Sequence, residues 1–288
     1  MIPTEFDYKV PATIDEAVTL LASDLDGAKV LAGGHSLIPA MKLRLAQPQL
    51  LVDIARIKSL AYIREEGDQI LIGATTTHYQ LESSEMLKQI CPLLSDCAHS
   101  IGDVQVRNKG TIGGSLAHSD PAGDWPAAVL ALDAELVLVG TNGERTEKAE
   151  DFFVDLLTTS LLPGEILREI RIKKPSGRFG HAYQKVPHPA SGFAVVGVAV
   201  NIVLNDDGSC KSAGIGVTGV GVKAYHANAV EAALAGTTLD DNAVAAAVEH
   251  ICDGIDPNAD LYASSDYRCH LAKVHTRRAI GSAKARVQ

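Results

Sequence analysis

The sequence predicts an α+β fold in two parts. Three observations lead there. Strand-like runs and helix-like runs are segregated rather than strictly alternating, most clearly beyond residue 177, where three strand-like runs precede three helical ones. The composition shifts at residues 173–180 (KKPSGRFG), which divides the chain into 1–176 and 177–288. A chain of 288 residues, 46% hydrophobic and 21% charged, is comfortable as two domains and long enough to bury a real core.

The elements follow in order. Thr13 and Glu16 have capping-box spacing ahead of the stripe Ala17, Leu20 and Leu21, so a helix begins there. Residues 28–32 (AKVLA) read as a strand, 38–45 as a short helix and 50–54 (LLVDI) as a second strand. Residues 61–74 read as a hairpin around an acidic turn at 65–68. The stretch 77–101 is helical in two pieces separated near Pro92. A glycine-rich segment, 110–126, leads into a helix over 125–132 with Pro126 in its first turn. Residues 134–152 form another hairpin, turning at Thr141-Asn142-Gly143, and 166–173 alternate as a half-buried strand. Beyond the boundary come strands at 180–186, 193–204 and 211–220, then helices at 224–235, 240–253 and 264–285.

Bulk properties exclude several classes. With 26 Lys and Arg against 35 Asp and Glu, the net charge of −9 argues against a nucleic-acid binder. The basic tail (His275, Arg277, Arg278, Lys284, Arg286) reads as a solvated last helix with cations near its C-terminus. No apolar run approaches the roughly 20 residues of a membrane span, and MIPTEFDYKVP is not a signal peptide. A cytoplasmic location is expected. The scattered cysteines, Cys91, Cys97, Cys210, Cys252 and Cys269, include no CxxC and are expected to be reduced and structural. No metal site and no catalytic triad is expected on this chain.

Two segments invite chemistry: LAGGHSL at 31–37 and GTIGGSL at 110–116. Without Cβ atoms, glycines let the backbone approach a ligand, and successive N–H groups then form an anion-binding concavity. A following helix start adds free N–H groups. Thr111, Ser115 and Ser119 add hydroxyls, followed by Asp120 and Asp124. Taken singly, each segment is more simply a tight strand-to-helix turn without a ligand. Together they suit a diphosphate lying between them. Neither matches GxGxxG or GxxxxGK[ST], which disfavours a Rossmann site and a P-loop.

The succession AGGHSLIPAMKLR, LVDI, IGATTTH and DVQVRNKGTIGGSLAHSDPAGDWPAAVLAL resembles the FAD-binding medium subunits of the molybdenum hydroxylases. The likeness is strongest to medium subunits of aerobic carbon monoxide dehydrogenases and covers essentially the whole chain. It implies a PCMH/vanillyl-alcohol-oxidase-type FAD-binding domain of two subdomains, about 1–55 and 56–176. A C-terminal domain of the carbon monoxide dehydrogenase flavoprotein type, with a small antiparallel sheet and helices, would follow over 177–288.

Carried onto this sequence, the resemblance makes Ala32, Gly33, Gly34, His35, Ser36 and Leu37 the first diphosphate loop. Gly110, Thr111, Ile112, Gly113, Gly114 and Ser115 become the second. Asp124, with Asp120 sharing the role, would accept from the FAD sugar hydroxyls. Ile101 and Val106 would be apolar walls for a ring, and Lys185 a cation close to the flavin. The segment VPHPASGF departs from the family pattern, and Phe193 stands where a tyrosine covers the isoalloxazine ring. A phenylalanine still stacks but lacks the hydroxyl. His188, in the same segment, reads as a surface-loop residue.

The resemblance further implies partner chains: a small subunit with [2Fe–2S] clusters and a large subunit with the molybdopterin cofactor, arranged as a dimer of heterotrimers. Carbon monoxide, an aldehyde or an N-heterocycle would be oxidised on the large subunit. Electrons would then pass through the clusters to FAD on this chain and on to an external acceptor such as a quinone or NAD. The alternative is a stand-alone flavin oxidase of the same fold.

Overall fold

The computed structural model describes residues 1–287. Strands Asp7–Lys9, Leu50–Asp53 and Ala28–Leu31 form a parallel sheet, with Leu50–Asp53 in the middle. Asp7–Lys9 has no sequence signature, because all three of its residues are exposed and only pairing makes them a strand. Helix Ile14–Ala22 buries Ala17, Val18 and Leu21 and begins where expected. The Thr13 hydroxyl accepts from Glu16 N–H at 3.2 Å. Glu16 carboxylate reaches back one residue further than a full capping box requires, accepting from Ala12 N–H at 2.8 Å.

The second unit is a five-stranded antiparallel sheet in the order Ile63–Glu66, Gln69–Gly73, Ile166–Lys173, Glu135–Gly140, Gly143–Lys148. Ile170 pairs with Ile72 and Ile172 with Ile70, and all four are fully buried. The stretch expected as two helical pieces is three: His78–Ser83, Glu85–Ile90 and Pro92–His99. Ser84 makes the extra break, because it ends one helix while its hydroxyl accepts from Leu87 N–H at 3.3 Å to start the next.

In the C-terminal unit, strands Arg178–Pro187, Ala194–Leu204, Cys210–Thr218 and Tyr225–His226 form an antiparallel sheet in sequence order. Tyr225–His226 takes the start of the expected helix, which is reduced to Asn228–Leu234. The run at 240–253 is helix Asp241–Ala247 followed by a 3-10 turn, Val248–His250.

Helix Ser265–Ala285 is solvated on one face only: Arg277, Arg278, Lys284 and Arg286 are exposed as expected, but His275 is buried. Leu271, Ala272, Ala279, Ile280 and Ala283 are buried against the sheet. Arg268 is buried too, and its guanidinium donates to Val195 O and Gly219 O, both at 2.7 Å, and to Asp260 at 2.6 Å. The expectation of five reduced cysteines is also corrected. Cys252 and Cys269 form a disulfide, with Cα atoms 6.1 Å apart, because the last helix packs over the segment carrying Cys252. Their spacing of 17 residues carries no motif. Cys91, Cys97 and Cys210 are buried free thiols.

Helix Asp124–Ala131 joins the two larger units. Every one of its residues is buried and all after Asp124 are apolar, as suits a helix between two layers. The strand beside it contains Gly214 and Gly216. A Cβ on either would stand 2.2 Å from Ala131 O or 2.0 Å from Ala127 O, so glycine allows sheet and helix backbones to touch. Thr218 Oγ1 lies 2.7 Å from Pro121 O and 2.8 Å from Gly123 O, and Gly219 N–H donates to Pro121 O at 2.7 Å.

His226 adds a charged link at this junction. One ring nitrogen lies 2.9 Å from Glu231 and the other 3.4 Å from Asp133. Burial opposes its charge, but the two carboxylates outweigh burial and raise its pKa to about 10. The folded pKa exceeds the unfolded one, so its contribution is complete below about pH 6.5 and is lost as pH rises towards 10. The difference in unfolding free energy between wild type and His226→Gln should therefore shrink between pH 6.5 and 10. Urea titrations across that range check it; a constant difference would contradict the assignment.

Candidate cofactor site

Strand Ala28–Leu31 delivers the chain into the first glycine segment. Gly34 has φ +73°, a region that side chains disfavour. Ser36 then starts helix Leu37–Lys42 without using its hydroxyl as a cap. Among the described residues, the backbone N–H groups of Gly33, Gly34, His35, Ser36 and Leu37 find no protein acceptor. They form a row of free donors at a strand-to-helix turn, the arrangement that binds an anion. The His35 ring Nδ1 donates to Gly33 O at 3.0 Å, which holds that side chain against its own loop.

The second segment differs from the turn expected. Thr111 caps a helix, Ile112–His118, its hydroxyl accepting from Gly114 N–H at 3.2 Å. Ile112 N–H donates to Thr76 O at 3.1 Å, Gly113 N–H to Ala74 O at 2.8 Å and Ser115 N–H to Thr111 O at 3.0 Å. These N–H groups are already used, so this segment is no second nest. Its glycines serve close approach. A Cβ on Gly113 would lie 2.4 Å from Ala74 Cβ, and one on Gly33 would lie 2.3 Å from Lys109 O. The two segments touch each other at Gly33 and Lys109–Gly110.

Between them opens a cavity of about 880 Å³, within the range of small-ligand sites. Ala32, Gly33, Gly34, His35, Ser36 and Leu37 line it, as do Ile101, Val106, Gly110, Thr111, Gly113, Gly114, Ser115, Asp120, Asp124 and Phe193. Two expected residues do not. Ile112 is fully buried in the core, because the helix it starts turns that position inward. Lys185 stands behind the wall, its ammonium donating to Asp124 at 2.8 Å and to Ser100 O at 2.9 Å.

Asp124 is correspondingly engaged, also accepting from Tyr183 OH at 2.5 Å. Burial pushes its carboxyl pKa up, against the pull of Lys185. Asp120 accepts from Ala122 N–H at 2.8 Å, which caps its own loop. Phe193 is 45% exposed on the cavity wall, while His188 packs on Tyr262 with ring centroids 4.8 Å apart. Arg107 holds the wall at 101–102, donating to Ile101 O at 3.0 Å, Gly102 O at 3.2 Å and Glu82 at 2.7 Å.

Some wall residues carry no motif. Leu161 and Leu162 arrive from the loop before strand Ile166–Lys173, Ile166 from the first position of that strand, and His78 from the start of a helix. The only hint of His78 was its place at the end of IGATTTH.

Family comparison agrees with this architecture. The model described as "FAD binding domain in molybdopterin dehydrogenase" matches residues 4–175, and "CO dehydrogenase flavoprotein C-terminal domain" matches 181–283. The chain belongs to this family. It is 41% identical to the carbon monoxide dehydrogenase medium chain of Hydrogenophaga pseudoflava, with 99% of each chain covered. It is 36% identical to the 6-hydroxypseudooxynicotine dehydrogenase complex subunit alpha of Paenarthrobacter nicotinovorans, covering 100% of this chain and 97% of that one. A solved carbon monoxide dehydrogenase from Hydrogenophaga pseudoflava, lacking the Mo-pyranopterin moiety of its cofactor, superposes with TM-score 0.97 at 42% identity over 100% of both chains.

The residues present fit the family's FAD. The free N–H row suits a diphosphate, and Ile101, Val106 and Phe193 offer apolar surface to a flat ring. The pair of Asp124, in the wall, and Lys185, behind it, joins the FAD-binding domain to the C-terminal sheet. Asp124→Asn should lower unfolding stability by about 3 kcal/mol, because Lys185 would be left buried without its counter-charge. Adding Lys185→Met should restore part of that loss. Urea denaturation of the full-length variants tests both, and a single mutant as stable as wild type would refute the pairing.

Proposed function

We propose that this chain is the FAD-carrying electron-transfer subunit of a heterotrimeric molybdenum hydroxylase. The observation that carries the reading is the free N–H row of Gly33–Leu37 facing the hydroxyls of Thr111 and Ser115 across one cavity. That is a diphosphate clamp with apolar surface at Ile101, Val106 and Phe193 beside it. In this reading the first loop and Thr111 hold the diphosphate, Phe193 covers the ring at the rim, and Asp120 and Asp124 face the sugar hydroxyls. When bound, the flavin supplies the redox chemistry, and the chain binds, orients and shields it.

A small [2Fe–2S] subunit would deliver electrons, and a large molybdopterin subunit would oxidise the substrate, the whole assembling as a dimer of heterotrimers. Similarity to relatives named for carbon monoxide and for an oxynicotine derivative supports a substrate site on another chain. This chain aligns with 99% of the first and 97% of the second.

The full-length chain should take up FAD and show the visible absorption of oxidised flavin, and it should co-purify with the two partner subunits when they are expressed together. Gly114→Val should weaken FAD binding at least about tenfold with the far-UV circular dichroism kept, because its side chain would enter the cavity and strike the Thr111 hydroxyl, 2.8 Å from a Cβ there. Normal FAD binding by that variant would sink the clamp. Turnover of an organic substrate with oxygen by the isolated chain would instead favour a stand-alone oxidase.

A further inference from the structure

The donors of the cavity are unevenly distributed. The first loop offers free backbone N–H groups, whereas those of Ile112, Gly113, Gly114 and Ser115 are already bonded within the protein. Apart from the Thr111 N–H, donors on this segment must therefore come from side chains. One of them is unusual. His78 is 5% exposed, lines the cavity and occupies the first position of helix His78–Ser83.

Its ring is held in one tautomer. The indole of Trp125, itself fully buried, donates its Nε1–H to His78 Nδ1 at 3.0 Å. Indole nitrogen only donates, so Nδ1 must be the acceptor, and the neutral ring carries its proton on Nε2. Burial is the main force keeping the ring neutral, with His35 and Arg107 adding repulsion, and it brings the pKa down to about 4.

The Nε2 edge is left uncovered. Among the described residues Nε2 has no hydrogen-bond partner within the protein. It faces Gly110, where a Cβ would stand only 2.6 Å away and cover it. The main chain fixes this approach: His78 N–H donates to Gly110 O at 3.0 Å, and Thr77 bridges Thr111. Gly110 is also where the second segment meets Gly33 of the donor row. A histidine serving only the indole has no use for an open Nε2–H at that crossing.

We propose that His78 is a cofactor-anchoring residue, donating Nε2–H as a neutral imidazole to a phosphate oxygen of the dinucleotide while Trp125 locks its tautomer. The assignment rests on the FAD reading above. Phosphate oxygens are acceptors, so an N–H of fixed direction suits them without a formal charge. Trp125 and Gly110 become positioning residues, one orienting the ring and the other clearing the path.

The test uses the full-length chain, with FAD and ADP as ligands. His78→Leu should weaken both at least about tenfold, and His78→Gln, which keeps an N–H donor, should lose less. In the wild type, ¹⁵N NMR of the histidines should show the Nε2-protonated tautomer before ligand is added, and ADP should shift its Nε2 signal. A merely structural histidine would give no such shift. The NMR arm decides the matter even where a variant folds poorly. Unchanged affinity in a folded His78→Leu chain, or an Nε2 signal indifferent to ADP, overturns the assignment while leaving FAD binding intact. A wild-type chain that binds neither FAD nor ADP overturns the cofactor reading and this one together.

Discussion

The architecture depends on burying helix Asp124–Ala131 between the C-terminal sheet and the helices Pro92–His99 and Ile112–His118. A helix enclosed on all sides must place its first residues against partners that satisfy them. Asp124 takes Lys185 and Tyr183 from the C-terminal sheet, and Trp125 takes His78 from the opposite unit. One turn of helix thus connects the substructures and supports the cavity wall. The glycines of strand Cys210–Thr218 make the contact possible by removing the atoms that would hold the backbones apart.

The cavity inherits its asymmetry from this arrangement. The first glycine segment ends a strand of a small parallel sheet and leaves its N–H groups free. The second is pinned to Ala74 and Thr76, so the N–H groups of Ile112 and Gly113 are used in folding. The first loop is a donor surface, while the second is a close-packed support that presents hydroxyls and a histidine edge. Their contact at Gly33 and Gly110 couples the two, because displacing either moves the other.

Much of the fold was legible where one segment carries its own signal. The hairpin at Ile63–Gly73, the alternating strand Ile166–Lys173 and the Thr13 cap follow from local periodicity and capping chemistry. Elements defined by pairing alone were not legible. Asp7–Lys9 is exposed throughout, and Tyr225–His226 is two residues long. The site divided in the same way. Glycines and hydroxyls marked the loops, whereas Leu161, Leu162 and His78 reach the wall from elements whose sequences say nothing about a ligand.

The sequence by itself determined the class of fold, the two loops and the family likeness, because backbone freedom at glycine and hydrophobic period are local properties. Tertiary structure alone decided what each residue does there. It turned Ile112 into core, withdrew Lys185 behind Asp124, joined Cys252 to Cys269 and aimed one edge of His78 at Gly110. Each of these outcomes depends on a partner distant in the chain. A side chain's exposure, charge state and free hydrogen-bonding edge are settled only when that partner is in place.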